Sequence, residues 1–294
     1  MRTTAAAMAL LVLLVPIRVS AQAADAPPAD KQPVAKPAAD TGRYALITKR
    51  DVMFAGGFVV ATFAVSRLDK TVQGKLQDSL RLISTFTRNT QDAFNLLGVP
   101  GAFVISGGIF VIGKVARAPG LADAGLHTVE AVAIAEALTY LSKWSFGRER
   151  PYSAGIDDPG DFSFGRGLTK GETFSSFPSG HASAAFAAAS ALTAEISSRR
   201  PRMARWVGIP IYGAATLVGW ARLQSNKHWL SDVFMGAGLG TLVGIKTVRF
   251  NHIHPHNRLD RFFLSATPAI IRDGGGSHAF ALMWTTHPGF LAGR

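Results

Sequence analysis

Six apolar segments, at 52–65, 93–112, 129–141, 182–196, 206–220 and 229–248, account for most of this chain, and few strand signals interrupt them. Helices with apolar faces must bury those faces against one another, so the expected fold is all-α, an antiparallel bundle of about six helices. Sequence order adds a second constraint. Lys143 follows the third segment, His181 begins the fourth, Arg222 ends the fifth and His228 begins the sixth. In an up-and-down bundle all four termini fall at one end, and a functional site is expected there.

The residues at those termini carry a definite chemistry. From Arg222 to Asp232 the chain reads Arg-x5-His-x3-Asp. On a helix, His228 and Asp232 share a face, so the carboxylate can hold the ring in one tautomer while the other nitrogen stays free to react. That is a nucleophile with its orienting partner. Lys143 and Arg150 lie seven apart, about two turns on one face if the segment is helical. Pro178-Ser179-Gly180-His181 opens the fourth segment, where unpaired N–H groups and the helix dipole attract an anion and glycine permits close backbone approach. Taken singly, each basic residue reads as a solvated helix flank. Together, Lys143, Arg150, Ser179, Gly180 and Arg222 read as a phosphate cradle that needs no metal.

In order and spacing, Lys143-WSFGRE-Arg150-Pro151, Pro178-Ser179-Gly180-His181 and Ala221-Arg222-LQSNK-His228-WLS-Asp232 resemble the type 2 phosphatidic acid phosphatase and vanadium haloperoxidase superfamily. Its pattern is Lys-x6-Arg-Pro, Pro-Ser-Gly-His and Ser-Arg-x5-His-x3-Asp, and Ala221 stands where the family has Ser. The resemblance implies a helical bundle with its pocket at one end. It also implies hydrolysis of a phosphomonoester or diphosphate, with His228 as nucleophile, Asp232 orienting it and His181 as the acid. Lys143, Arg150, Ser179, Gly180 and Arg222 would hold the phosphoryl oxygens. No cofactor is expected for that reaction. Two alternatives stay open: a haloperoxidase holding vanadate in the same cradle, and a non-catalytic membrane protein retaining a phosphate pocket.

The ends of the chain bear on where such a protein works. Residues 1–23, with Arg2, an apolar run and Ala21-Gln22-Ala23, read as a secretory signal peptide, and the Ala/Pro-rich stretch at 24–43 reads as a flexible linker. The helical domain is expected over 44–250, and a tail over 251–294. Loss of Arg2 and Arg18 with the signal lowers the formal charge from +12 to +10, which still favours anionic partners. A phosphorylated small molecule or lipid fits; nucleic acid does not, because long apolar segments interrupt the basic residues and no nucleic-acid module is recognised.

Four arginines between Arg199 and Arg205 sit at the end opposite the expected site. The positive-inside rule puts that end in the cytoplasm and the site at the periplasmic side of a membrane-associated protein. A soluble periplasmic bundle is the alternative, because six crossings conflict with a cleaved signal. The connection 152–177 is a candidate lid or selectivity loop, or a plain surface connection. In the tail, 262–271 and 278–285 around Asp273-Gly274-Gly275-Gly276 predict a β-hairpin. His252, His254 and His256 alternate, but Pro255 interrupts them and no neighbouring acid or cysteine completes a ligand set, so no metal site is expected. His127, His278 and His287 read as surface or packing residues.

Overall fold

A computed structural model of the chain describes residues 46–80, 85–154, 158–255, 257–272 and 278–284. The expected signal peptide and linker lie outside the described residues, as do His256, His287 and the glycine turn of the hairpin. The described residues form α1 (Lys49–Ser66), α2 (Asp69–Leu80), α3 (Thr85–Leu96), α4 (Val99–Val115) and α5 (Pro119–Phe146). Two short helices follow, α6 (Pro151–Ala154) and α7 (Arg166–Thr169), then a 3-10 turn at Glu172–Phe174. The chain continues through α8 (Gly180–Arg199), α9 (Pro201–Gln224), α10 (Leu230–Ile253) and α11 (Arg258–Leu264), and ends in β1 (Thr267–Arg272) and β2 (His278–Met283). The fold is all-α apart from this antiparallel pair, in which Thr267 faces Met283 and Arg272 faces His278.

Five of the six apolar segments are single helices, α1, α5, α8, α9 and α10. The segment 93–112 is not. It breaks at Leu97 and Gly98, between α3 and α4, with Pro100 in the first turn of α4. Proline lacks an N–H and is tolerated only where no intrahelical bond is due, so a helix starts there. The first expected strand also begins later than the pattern indicated. Asn257 caps α11, its Oδ1 accepting from Leu259 N at 2.9 Å and Asp260 N at 3.0 Å, and Phe262 to Leu264 are helical as a result.

Helix α8 occupies the centre, against α4, α5, α9 and α10. Its alanines make this possible: Ala182, Ala184, Ala187 and Ala191 are completely buried, and so small a side chain lets four neighbours approach one axis. Helix α10 supplies the complement with Gly236, Gly240 and Gly244, one turn apart. A Cβ at Gly236 would lie 2.5 Å from the Ser179 carbonyl oxygen, and one at Gly240 2.2 Å from that of Ser183. This contact sets the start of α8 against the start of α10. The core continues through Ala102, Val132, Ala135 and Val243.

Candidate active site

Alternation of the helices brings the end of α5, the start of α8, the end of α9 and the start of α10 to one end of the bundle. Gly147 terminates α5: its φ is +52° and its N–H donates to the Lys143 carbonyl at 3.1 Å, the left-handed cap that glycine adopts without a Cβ penalty. Lys143 is therefore in the last turn of α5, whereas Arg150 is beyond it. The two do not share a helical face, because Gly147 ends the helix between them. Arg150 is carried by an irregular segment, with its N–H on the Thr173 carbonyl at 2.9 Å. Its Nε donates to Glu172 O at 2.8 Å and its Nη2 to Ser175 Oγ at 3.2 Å.

Ser179 is the N-cap of α8, Gly180 and His181 are its first residues, and the Ser179 N–H donates to the Asp232 carbonyl at 3.0 Å. Arg222 lies in the last turn of α9, where Nη1 donates to Asn95 Oδ1 at 3.0 Å. Ala221, beside it, is completely buried. His228 is buried in the connection between α9 and α10 rather than on a helix, since Trp229 is the N-cap of α10.

That placement changes the partnership expected from the spacing. His228 Nδ1 donates to the Ser176 backbone carbonyl at 2.7 Å, and Asp232 Oδ2 is 3.7 Å from the same nitrogen. A carbonyl accepts only, so Nδ1 carries the proton and Nε2 keeps its lone pair. Asp232 is three residues into the helix from its cap. Its Oδ2 accepts from Trp229 N at 2.9 Å and from Ser176 Oγ at 2.5 Å. Ser176 thus touches both groups, the ring through its carbonyl and the carboxylate through its hydroxyl.

The other oxygen of Asp232 belongs to Arg148, a residue the motif spacing passed over. Arg148 Nη1 donates to Asp232 Oδ1 at 2.5 Å and to Ser231 Oγ at 2.8 Å; Nη2 donates to Asp69 Oδ2 at 2.8 Å. Asp69 also accepts from Ser231 N at 2.8 Å. Arg148 is 2% exposed, with its guanidinium 4.8 Å from the Phe162 ring centroid and 5.5 Å from that of Trp229. A buried guanidinium between two carboxylates is a fastening, and it ties the start of α2 to the start of α10. In sequence, Arg148 is one of six unspecified residues between Lys143 and Arg150, and its partners are 79 and 84 residues away.

Charge defines the remainder of the site. Burial, then the guanidinium of Arg222 and the charges of Lys143 and Arg150, press His181 down to about 3. His228 is held well below the usual imidazole range, by burial first. Lys143 falls to about 8, again by burial and then by Arg150. Both histidines are therefore neutral at pH 7, facing the side chains of Lys143, Arg150 and Arg222. Beneath them is Glu136, another residue without a motif signal. An added Cβ on Gly180 would meet its Oε2 at 3.2 Å, and burial raises this carboxyl to about 7. Gly98 closes the site on the α4 side, where a Cβ would be 2.2 Å from His181 Cδ2.

An apolar cleft of about 210 Å³ begins one turn below His181. It runs between α4, α5, α8 and α9, lined by Leu97, Ile105, Ala185, Leu192, Ile211 and Val218. The connection expected as a lid holds α6, α7 and the 3-10 turn, with Phe164 and Leu168 exposed.

The family model described as the PAP2 superfamily matches residues 124–254. A lipid A 1-phosphatase of Porphyromonas gingivalis is 41% identical over 90 residues, 31% of this chain and 19% of the relative. The matched part is thus about a fifth of that protein's length. Among solved structures, a transmembrane PAP2-type phosphatidylglycerolphosphate phosphatase from Bacillus subtilis has a similar fold. Its TM-score is 0.51 at 20% identity, covering 70% of this chain and 97% of that one.

Proposed function

We propose that this chain, whose residues 124–254 match the PAP2 superfamily model, hydrolyses the phosphomonoester or diphosphate of a lipid through a phosphohistidine. The observation that carries this reading is the state of His228: neutral, buried, with Nδ1 committed to the Ser176 carbonyl and the charges of Lys143 and Arg150 acting on it. Nε2 attacks phosphorus as the bond to the leaving oxygen breaks. Lys143, Arg150, Arg222 and the backbone N–H groups at the start of α8 hold the phosphoryl oxygens through the transition state. Asp232, 3.7 Å from Nδ1, stabilises the charge that the ring acquires. Because the same three cations repel a divalent metal, no metal ion is assigned to this step.

His181 supplies the proton to the leaving oxygen. In the empty site its basicity is suppressed by Arg222, Lys143 and Arg150. A phosphoryl dianion neutralises those charges, so binding substrate charges the acid. Water then attacks the phosphohistidine, losing a proton to His181, and phosphate leaves.

The apolar cleft beside His181 suits an acyl chain rather than a soluble ester. The exposed side chains of Met53, Val60 and Phe63 on α1, Val104 on α4 and Trp206 and Ile209 on α9 suit contact with lipid. Helix α10 is long and apolar enough to cross a membrane, and α1 with the first part of α2 qualifies as a pair bent by 55°. Arg199, Arg200, Arg202 and Arg205, at the far end of α8, favour a cytoplasmic location for that end and a periplasmic one for the site.

Phosphate release from phosphatidate, a polyprenyl diphosphate and lipid A, in detergent micelles without added metal, tests the reading. We expect turnover of at least one lipid and none in His228→Ala. Undiminished turnover in that variant refutes the nucleophile.

A further inference from the structure

At the end of the bundle opposite the phosphate site, we propose that His127, Glu195 and His252 form a structural site for a divalent cation of zinc-like character. Three helices contribute one ligand each: α5, α8 and α10. His127 Nδ1, Glu195 Oε1 and His252 Nε2 all lie within 4.8 Å of one another. His127 and Glu195 are buried, whereas the His252 side chain is 38% exposed. Two imidazole nitrogens and one carboxylate oxygen are the donor set that zinc and its neighbours prefer. The open side at His252 gives a cation a way in and a water its place as fourth ligand.

The surroundings orient these three groups as the outer shell of a metal site does. His127 Nε2 faces Asp260 Oδ1 of α11 at 3.3 Å, so when a cation displaces the Nδ1 proton that faces Glu195, the ring keeps its other proton on Nε2, beside the Asp260 carboxylate. A carboxylate behind a histidine fixes the tautomer and strengthens the ligand. Asn257 Nδ2 in turn holds Asp260 Oδ2 at 2.9 Å. Glu195 Oε2 pairs with Arg199 one turn on, which leaves Oε1 turned toward the imidazoles. Both ring nitrogens address that single oxygen: His127 Nδ1 is in direct contact with it, and His252 Nε2 is 3.1 Å away. A cation among them gives each lone pair its own bond. Bound there, it would fasten the first part of α5 to the last turns of α8 and α10.

The sequence conceals this set because its members are far apart. His252 is 57 residues from Glu195, and His127 is 68 from it.

Untagged full-length protein in detergent provides the test. Metal analysis should find about one zinc-type cation per chain, as a three-ligand site requires. His252→Ala and Glu195→Gln should lose it, while His254→Ala, at the exposed C-cap of α10, should keep it. After chelation, ZnCl2 should raise Tm in the wild type and in His254→Ala only, and CoCl2 should develop visible absorption in the same two proteins. Asp260→Asn should weaken zinc binding by about tenfold or more. Phosphate release by His252→Ala reports whether the bundle is still folded. A wild type isolated without metal that gains neither Tm from ZnCl2 nor absorption from CoCl2 overturns the site. So does uptake that His252→Ala and Glu195→Gln leave unchanged.

Discussion

Replacing Arg148 by Met should be among the most costly single changes at the active-site end, although Arg148 is absent from the motif that marks the site. Met keeps much of the side-chain volume and removes the guanidinium, leaving Asp69 and Asp232 buried without the cation that pairs with both. Breaking a buried ion pair in this way costs about 3–5 kcal/mol. Ser176, Trp229 N and Ser231 still donate to the two carboxylates, so the lower figure, about 3 kcal/mol, applies. For a domain of this size that corresponds to a fall in Tm of roughly 6–12 °C. Adding Asp69→Asn removes one of the stranded charges and should restore about 1 kcal/mol or more. Thermal unfolding of the two single variants and the double variant in detergent gives the coupling energy directly. In kinetics, Arg148 touches no substrate in the proposed mechanism but anchors Asp232. Its loss should lower kcat on the order of tenfold to a hundredfold and leave KM nearly unchanged. Additive stability effects, with the coupling below about 0.5 kcal/mol, would refute the fastening, and a change confined to KM would refute the positioning role.

Glu136→Gln should stabilise the protein in alkaline solution. The folded value, about 7, is above the usual 4.5, so the burial penalty is absent below pH 4.5, grows as pH rises and is complete above 7, where the variant should gain roughly 3 kcal/mol. Equal stabilities at pH 8 would contradict this. His181 and His228 have the opposite sign: both are depressed below 6.5, so their contribution is full above pH 6.5 and is lost as pH falls. Denaturant unfolding between pH 7 and 5 should show that decline, and His181→Gln should reduce it. If His181 is the acid, His181→Gln should slow an alkyl phosphate at least about tenfold more than p-nitrophenyl phosphate, whose leaving group needs no proton. Equal slowing of the two would remove His181 from that role.

What the sequence made legible, and what it did not, divides along one physical line. Periodicity and order sufficed for the helices, because an apolar face is a local property and alternation is a topological one. The residues at the helix ends were legible for the same reason. Local punctuation was there as well: Gly147 and Pro100 mark the end of α5 and the start of α4, and both bear on geometry that plain spacing misses. Counting seven from Lys143 to Arg150 assumes a helix that Gly147 stops, and counting four from His228 to Asp232 assumes one that begins only after Trp229.

The groups that hold His228 and Asp232 in place were hidden because burial, not spacing, creates them. Arg148 and Asp69 are ordinary charged residues in sequence. They become a fastening only when the bundle excludes water from both and leaves each charge with the other as its partner. Ser176 is hidden for a different reason, since its carbonyl is a backbone atom that every residue possesses. The orientation of His228 therefore depends on where the connection 152–177 places one peptide group. Substitution at Ser176 should disturb the Asp232 carboxylate through the lost hydroxyl while leaving the bond to the ring, so Ser176→Ala should retain the tautomer of His228. Nitrogen chemical shifts of that ring distinguish the two cases. A switch of the proton to Nε2 in Ser176→Ala would mean that Asp232, and not the carbonyl, decides the tautomer.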